Sequence, residues 1–249
     1  MNDNSPAATA HTRAGLLESM MLRLFTRSAH VVHIEAIGSA FRVITLGGDA
    51  LRNAAWTPGD KIEIQLGGWI KRTYTPMEWD AENGRTRILV HLHAAGGPGT
   101  QWARELRQGD ACVVFGPRRS IDLTRLGSSA VLFGDETSFG LAAALLGAVS
   151  PTSVQMFFEV SSLADAQPAL ERIGLDAAQL RIRRDDKSQL IELEEQVRSV
   201  LKTQTAAGVV LTGNAESIQH MRRLLRELGV GANRFQTKAY WKPGKTGLD

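Results

Sequence analysis

The sequence predicts two domains of different class, an antiparallel β-barrel followed by a doubly wound parallel sheet of the α/β type. Three observations carry this expectation. Up to about residue 125 the chain consists of short Val- and Ile-rich runs broken by Gly, Pro and Asp, the pattern of strands joined by turns. Beyond that point apolar strands alternate with helical stretches, as in βαβ units on a parallel sheet. The length of 249 residues suits two ordinary domains.

Taken in order, residues 1–27 read as a polar tail and a short helix, with no apolar segment of signal-peptide type. Residues 28–125 carry the barrel runs AHVVHIEAIG, FRVITLGG, DKIEIQLGG, RTYTPMEW, TRILVHLHA and ACVVFGP. Residues 126–249 carry the second domain and a C-terminal tail. VLFGD leads into the helical SFGLAAALLGAV, VQMFFEV into LADAQPALERIG, LRIRRD into LIELEEQVRSVLK, and GVVLTGN into AESIQHMRRLLRELG, before RFQTKAYW closes the sheet. Sheets of this kind bind ligands at the carboxyl ends of their strands.

Composition narrows the function classes. No run approaches the ~20 apolar residues of a bilayer-spanning helix, so no membrane insertion is expected. The net charge of +3 comes without a dense basic stripe interleaved with aromatics, which argues against nucleic acid and suits small anionic ligands. Cys112 is the single cysteine, so there is no internal disulfide and no cysteine-ligated iron–sulfur cluster. A reducing cytoplasm fits, and a buried, inert thiol is the expected state of Cys112 within the apolar ACVVF.

Three strings carry chemistry. In Arg72-Thr73-Tyr74-Thr75, expected at the start of a strand, Arg72 and Tyr74 share one face. They offer a guanidinium fork for phosphate and a flat ring for a planar ligand. In the run from His91 to Ala103, small residues separate a strand end from a helix expected to begin near Thr100. A fresh helix N-terminus presents free N–H groups to a phosphate. His91 and His93 share a strand face, but two histidines without a third ligand give no metal site. The third string, Gly134-Asp135-Glu136-Thr137-Ser138, occupies the place of a nucleotide loop, although its acidic residues oppose a pyrophosphate and its hydroxyls equally suit a helix cap. Thr212-Gly213-Asn214 holds the matching position after the fourth strand.

RTYTPMEW, HLHAAGGPGTQWA, FGPRRSIDL, FGDETS and the terminal KAYWKPGKTGLD, from about residue 28 onward, together resemble the siderophore-interacting proteins, within the ferredoxin-reductase-like group of flavoenzymes. The resemblance implies a cytoplasmic FAD protein that draws on NADPH, NADH or a reduced ferredoxin to reduce Fe(III) in a siderophore. It assigns Arg72, Tyr74 and Thr75 to the flavin-binding strand, and His93, Gly97, Pro98, Thr100, Trp102 and Ala103 to the pyrophosphate and ribityl loop. His91 joins this cofactor set. Asp135, Glu136 and Thr137 match the turn opening the nucleotide domain, with Gly213 opposite. Two strings depart from many relatives. Thr212-Gly213-Asn214 stands where they carry Ala-Gly-Glu, and Ser138-Phe139-Gly140 where they carry Ala-Leu-Pro.

The expected function is therefore an FAD-dependent reductase passing electrons from NAD(P)H to the Fe(III) of a siderophore and releasing Fe(II), acting as a monomer. The alternatives are a flavin reductase with another acceptor and a siderophore-binding carrier without hydride transfer. No protein side chain is assigned as catalytic, because binding, orientation and electrostatics are the protein's tasks. Lys238 and Lys242 are the candidate contacts to an anionic ferric chelate, with Lys238, Tyr240 and Lys242 alternating onto one face and Trp241 on the other. Arg118 and Arg119 are the fallback. Ser161 and Ser162 beside Arg181, Arg183 and Arg184 either hold the 2′-phosphate of NADPH or form a solvated strand end; the resemblance favours NADPH.

Overall fold

The computed structural model describes residues 26–148 and 154–244. Most of the expected tail and its short helix lie outside the described residues. Strand β1 already begins at Thr26, within the segment assigned to the tail.

Seven antiparallel strands form the first sheet: β1 (Thr26–Ile37), β2 (Phe41–Gly47), β3 (Lys61–Gly67), β4 (Ile70–Tyr74), β5 (Pro76–Asp80), β6 (Arg85–His91) and β7 (Ala111–Arg118). They lie in the order β4-β3-β7-β1-β2-β6-β5. Helix α1 (Pro98–Glu105) sits between β6 and β7. RTYTPMEW was expected to be one strand starting at Arg72, but it divides at Thr75. Pro76, which has no N–H for a ladder, opens the edge strand β5. β4 and β5 occupy opposite edges of the sheet, yet only Thr75 separates them in the chain. The sheet must therefore curl until its edges meet. Among the described residues no ladder joins β4 to β5, so the sheet's hydrogen-bond ladder is open at Thr75 and the expected barrel is present as a curled antiparallel sheet.

The second sheet is parallel throughout, in the order β10-β9-β8-β11-β12. Its elements are β8 (Ala130–Asp135), α2 (Phe139–Ala148), β9 (Val154–Val160), α3 (Leu163–Arg172), β10 (Gln179–Ile182), α4 (Ser188–Thr203), β11 (Gly208–Asn214), α5 (Ala215–Glu227) and β12 (Phe235–Trp241). β8 and β11 are buried along their whole length, as expected of central strands covered on both faces. Ala130 and Leu132 face one core with Phe139, Leu141 and Leu170, while Val131 and Phe133 face another with Leu193, Val197 and Met221. The first of these cores is shared with the barrel. Phe41, Val43 and Leu89 point into it, whereas Ile44, Leu46, Ile88 and Val90 point into the barrel interior. Period-two alternation along β2 and β6 thus serves both domains. A reciprocal pair adds a polar tie: Gln236 Nε2 donates to Asp122 O at 2.7 Å, and Asp122 N donates to Gln236 Oε1 at 2.9 Å.

Cys112 lies in the barrel core. Burial, with Asp110 nearby, pushes its thiol up to about 11, so it is protonated and unreactive at neutral pH.

Candidate functional site

Arg72 and Tyr74 end β4 rather than start a strand, and they face the N-terminus of α1. That helix begins at Pro98, two residues before the expected start, because proline tolerates the first helical position. Its cap residue, Gly97, makes no side-chain cap bond, and the first turn holds no acidic residue. The first-turn N–H groups of Gly99 and Thr100 are therefore left to an external acceptor. Gly99 packs against both β4 residues. A Cβ on it would sit 3.3 Å from Arg72 Cγ and 3.4 Å from Tyr74 Oη. Arg72 donates to Lys71 O at 2.8 Å, and among the described residues no carboxylate pairs with it. A half-buried guanidinium, a phenol and an uncapped helix start thus converge, and this donor set fits a pyrophosphate-bearing ligand.

Other expected residues support this cradle. Trp102 lies with its ring centroid 6.1 Å from that of Tyr74. Thr100 is buried, and its hydroxyl accepts from His93 N at 3.1 Å, fixing the loop between β6 and α1. Ala103 is fully buried in the barrel core, so its small size meets a packing need. Sequence reasoning did not find Gly99. The glycine-rich string around it was the available signal, but which glycine is pressed by a neighbour depends on the approach of β4.

His91 ends β6, stacked on Phe41 at 4.9 Å and meeting His93 edge-on at 4.5 Å. Its Nδ1 is buried without a hydrogen-bond partner. Burial, with His93 and Arg183 in support and Glu136 opposing, brings His91 down to about 4. The native state therefore resists protonation of His91, and stability is lost as pH falls from about 6.5 towards 4. Asp135 acts in the opposite sense. Burial and Glu136 push it up to about 6, so the native state takes up its proton first and gains relative stability as pH falls from about 6 towards 4. His91→Phe should therefore lessen the loss of stability on acidification. The difference in unfolding free energy between His91→Phe and wild type should grow by up to roughly 3 kcal/mol from pH 7.5 to pH 4. Parallel denaturation curves across that range would refute the assignment.

At the carboxyl ends of β8 and β11, the expected nucleotide residues bond one another. Asp135 Oδ1 accepts from Thr137 N at 2.9 Å, and its Oδ2 accepts from Asn214 N at 2.9 Å and from Trp241 Nε1 at 2.7 Å. Asp135 thus ties β8 to β11 and β12, and it caps the turn Glu136–Ser138 that leads into α2. Gly213 has φ +94°, and a Cβ there would lie 2.4 Å from Asp135 Oδ2, so glycine is required on both counts. Both departures from the relatives' strings have physical roles. The Asn214 side chain caps α5 by accepting from Glu216 N at 2.9 Å. Gly140 lets α2 approach the barrel, since a Cβ there would meet Thr75 O at 2.9 Å.

The end of β12 reaches the same seam. The pairing steps from Gly213–Ala239 to Asn214–Trp241, leaving Tyr240 as a bulge. The simple alternation expected for Lys238, Tyr240 and Lys242 is therefore broken. Tyr240 is hydrogen-bonded to the Thr75 side chain, and burial holds its phenol above the ordinary value. Lys238 and Lys242 are half-buried, and Lys242 lies near Glu216. Arg118 and Arg119 are paired with Glu63 and Asp122.

Comparison with known proteins gives the family and the fold. Residues 68–121 match the family model described as siderophore-interacting FAD-binding domain, and residues 127–244 match the one described as siderophore-interacting protein. Among solved structures, the siderophore-interacting protein SipS from Aeromonas hydrophila is 23% identical with a TM-score of 0.71, over 89% of this chain and 93% of that one. A siderophore utilization protein from T. fusca is 24% identical with a TM-score of 0.67, over 90% and 95%. Phthalate dioxygenase reductase, at 13% identity, has a TM-score of 0.72 over 88% and 70%. The seven-stranded domain is an FAD-binding domain.

Proposed function

We propose, from the premise that this chain belongs to the siderophore-interacting protein family, that it is an FAD-dependent reductase passing electrons from NAD(P)H to the Fe(III) of a siderophore, with release of Fe(II). One observation carries this reading. Thr75, the residue that follows the strand assigned to flavin, is met by Gly140 of α2 and by Tyr240 of β12. The FAD cradle therefore opens directly onto the strand-end crevice, where a doubly wound sheet takes its nucleotide.

Bound FAD would supply the exchange between two-electron and one-electron chemistry that a pyridine nucleotide and Fe(III) require. Arg72 and the α1 N-terminus would hold its phosphates, Tyr74 and Trp102 would offer flat surfaces, and Thr75 would place the ring system at the seam. Fe(III) chelates need only approach the exposed edge, so no side chain is assigned a proton transfer. The test is optical. The purified protein should carry flavin bands that bleach anaerobically with NADH or NADPH and return with a ferric chelate. A colourless protein that still binds ferric chelate would sink the proposal, as would reduced flavin that no ferric chelate reoxidises.

Lys238 and Lys242 are assigned to the approach of the anionic chelate. Two lysines act through encounter, and salt screens the effect. Lys238→Ala with Lys242→Ala should slow reoxidation by an anionic ferric chelate by about 2- to 5-fold at low ionic strength, with much less change for a neutral one. Stopped-flow traces equal to wild type at low salt would move the approach elsewhere. Arg118 and Arg119 would come next, although both are already paired with carboxylates.

A further inference from the structure

Adjacent strand ends place an anion-binding donor set in the second domain. β9 and β10 are parallel neighbours with Val160 opposite Ile182, and Arg183 N donates to Val160 O at 2.7 Å. Ser161 and Arg183, the next residues along, therefore stand side by side. In a sheet of this order the second strand's end receives the adenosine ribose, where an arginine accommodates the 2′-phosphate of NADPH and an acidic residue suits NADH. A hydroxyl, a backbone N–H and a guanidinium are the donors a phosphate would use.

In this chain Ser161 and one nitrogen of Arg183 already face a carboxylate of the protein, while Arg183 Nε is buried without a hydrogen-bond partner. Glu136 is 5% exposed. Its Oε1 accepts from Ser161 N and from Ser161 Oγ, the latter at 2.6 Å, and its Oε2 accepts from Arg183 Nη2 at 3.0 Å. Burial works against ionisation of Glu136, but Arg183 and the Ser161 donors outweigh it and hold the carboxyl below its usual range. Arg183 also faces the buried Glu159, Nε to Oε2 at 3.9 Å, so one guanidinium serves two carboxylates.

The surrounding cations are engaged as well. Arg181 and Arg184 both pair with Glu192, and Lys187 pairs with Glu216. Ser162 is occupied as the cap of α3, accepting from Asp165 N at 3.2 Å. An arriving 2′-phosphate would have to displace a buried carboxylate or lie against its negative charge, since Arg181, Arg183, Arg184 and Lys187 are each paired with a carboxylate among the described residues. A ribose 2′-hydroxyl brings no charge and meets no such penalty.

We propose that Glu136, held by Ser161 and Arg183, is a specificity-determining residue that excludes the 2′-phosphate and makes NADH the preferred nucleotide. This rests on the reductase reading and reverses the preference that family resemblance suggested.

The test uses the FAD-loaded protein and the oxidised nucleotides, which bind without reducing flavin. Calorimetric titration of wild type should give NAD+ at least about 10-fold tighter binding than NADP+, and flavin reduction should be faster with NADH than with NADPH. Glu136→Gln keeps an amide oxygen for Ser161 but removes the competing charge. It should narrow the binding ratio by about 10-fold, mainly through a gain for NADP+. Equal or tighter binding of NADP+ by wild type overturns the proposal, and that ratio decides the matter even if the variant does not fold. An unchanged ratio in a folded Glu136→Gln also overturns it. Binding of neither nucleotide, with no bleaching by either, overturns the reductase reading itself and this assignment with it. Binding of NAD+ alone, with no iron reduction, would leave the assignment standing and remove only the ferric acceptor.

Discussion

Phe139→Ala should cost about 3–5 kcal/mol of unfolding free energy, the range for truncating a fully buried aromatic. Phe139 has no exposed surface and opens α2 where the two domains meet. Its ring stacks on Phe41 of the barrel at 5.7 Å and meets Phe158 of the parallel sheet edge-on at 4.9 Å. Phe41 in turn stacks on His91. Removing the ring leaves a cavity bounded by two sheets, and neither can move inward without breaking its own ladder. Relaxation is therefore small and the cavity penalty large. Phe139→Leu, which refills much of the volume, should cost clearly less. Urea denaturation at neutral pH would read both, as a shift in midpoint with an unchanged slope. A loss below about 1 kcal/mol for the alanine variant would mean that the seam is far looser than this packing implies.

The alternation that places Phe41 and Val43 on one core and Ile44 and Leu46 on another is visible in FRVITLG. What that string cannot state is that both faces are buried, because only the packing of a second domain turns the outer face of β2 and β6 into core. The strand-and-helix rhythm after residue 125 was readable because β8, β9 and β11 are nearly all apolar and α3, α4 and α5 are amphipathic. The division of RTYTPMEW at Thr75 was less so: β propensity runs straight through it, and only Pro76 marks the break.

The site was legible to different degrees for the same reason. Arg72, Tyr74 and the glycine-rich loop announce themselves by residue type, and they are brought together at α1. Asp135 and Glu136 were visible as acidic residues in a nucleotide position, but their partners come from the ends of β9, β10, β11 and β12, between about 25 and 106 residues away. No local pattern reveals that Trp241 donates to Asp135, or that Arg183 is spent on Glu136. Sequence reading left Arg183 open between a phosphate ligand and a solvated strand end, because a charge in a sequence carries no record of what already neutralises it.

Arg72→Ala should weaken FAD binding by roughly 10- to 150-fold, the equivalent of one charge-assisted hydrogen bond to phosphate. Most other arginines near the crevice are already balanced: Arg181 and Arg184 by Glu192, and Arg183 by Glu136 and Glu159. Arg72 is not. Its described hydrogen bond is to the neighbouring carbonyl of Lys71, and it stands beside Gly99 at a helix start that has neither a side-chain cap nor an acidic residue. A half-buried cation in that setting would gain from an anion, and the pyrophosphate of a bound FAD would be one. Arg72→Lys should recover only part of the loss, because an ammonium restores the charge but not the two-pronged contact. The FAD-free protein should unfold at nearly the same denaturant concentration with or without the substitution, since among the described residues Arg72 makes no long-range hydrogen bond. Fluorescence titration of stripped protein with FAD separates the two effects. If Arg72→Ala retains full FAD occupancy and wild-type affinity, the phosphates lie away from the α1 N-terminus, and the cradle assigned to Arg72, Tyr74 and Gly99 is wrong.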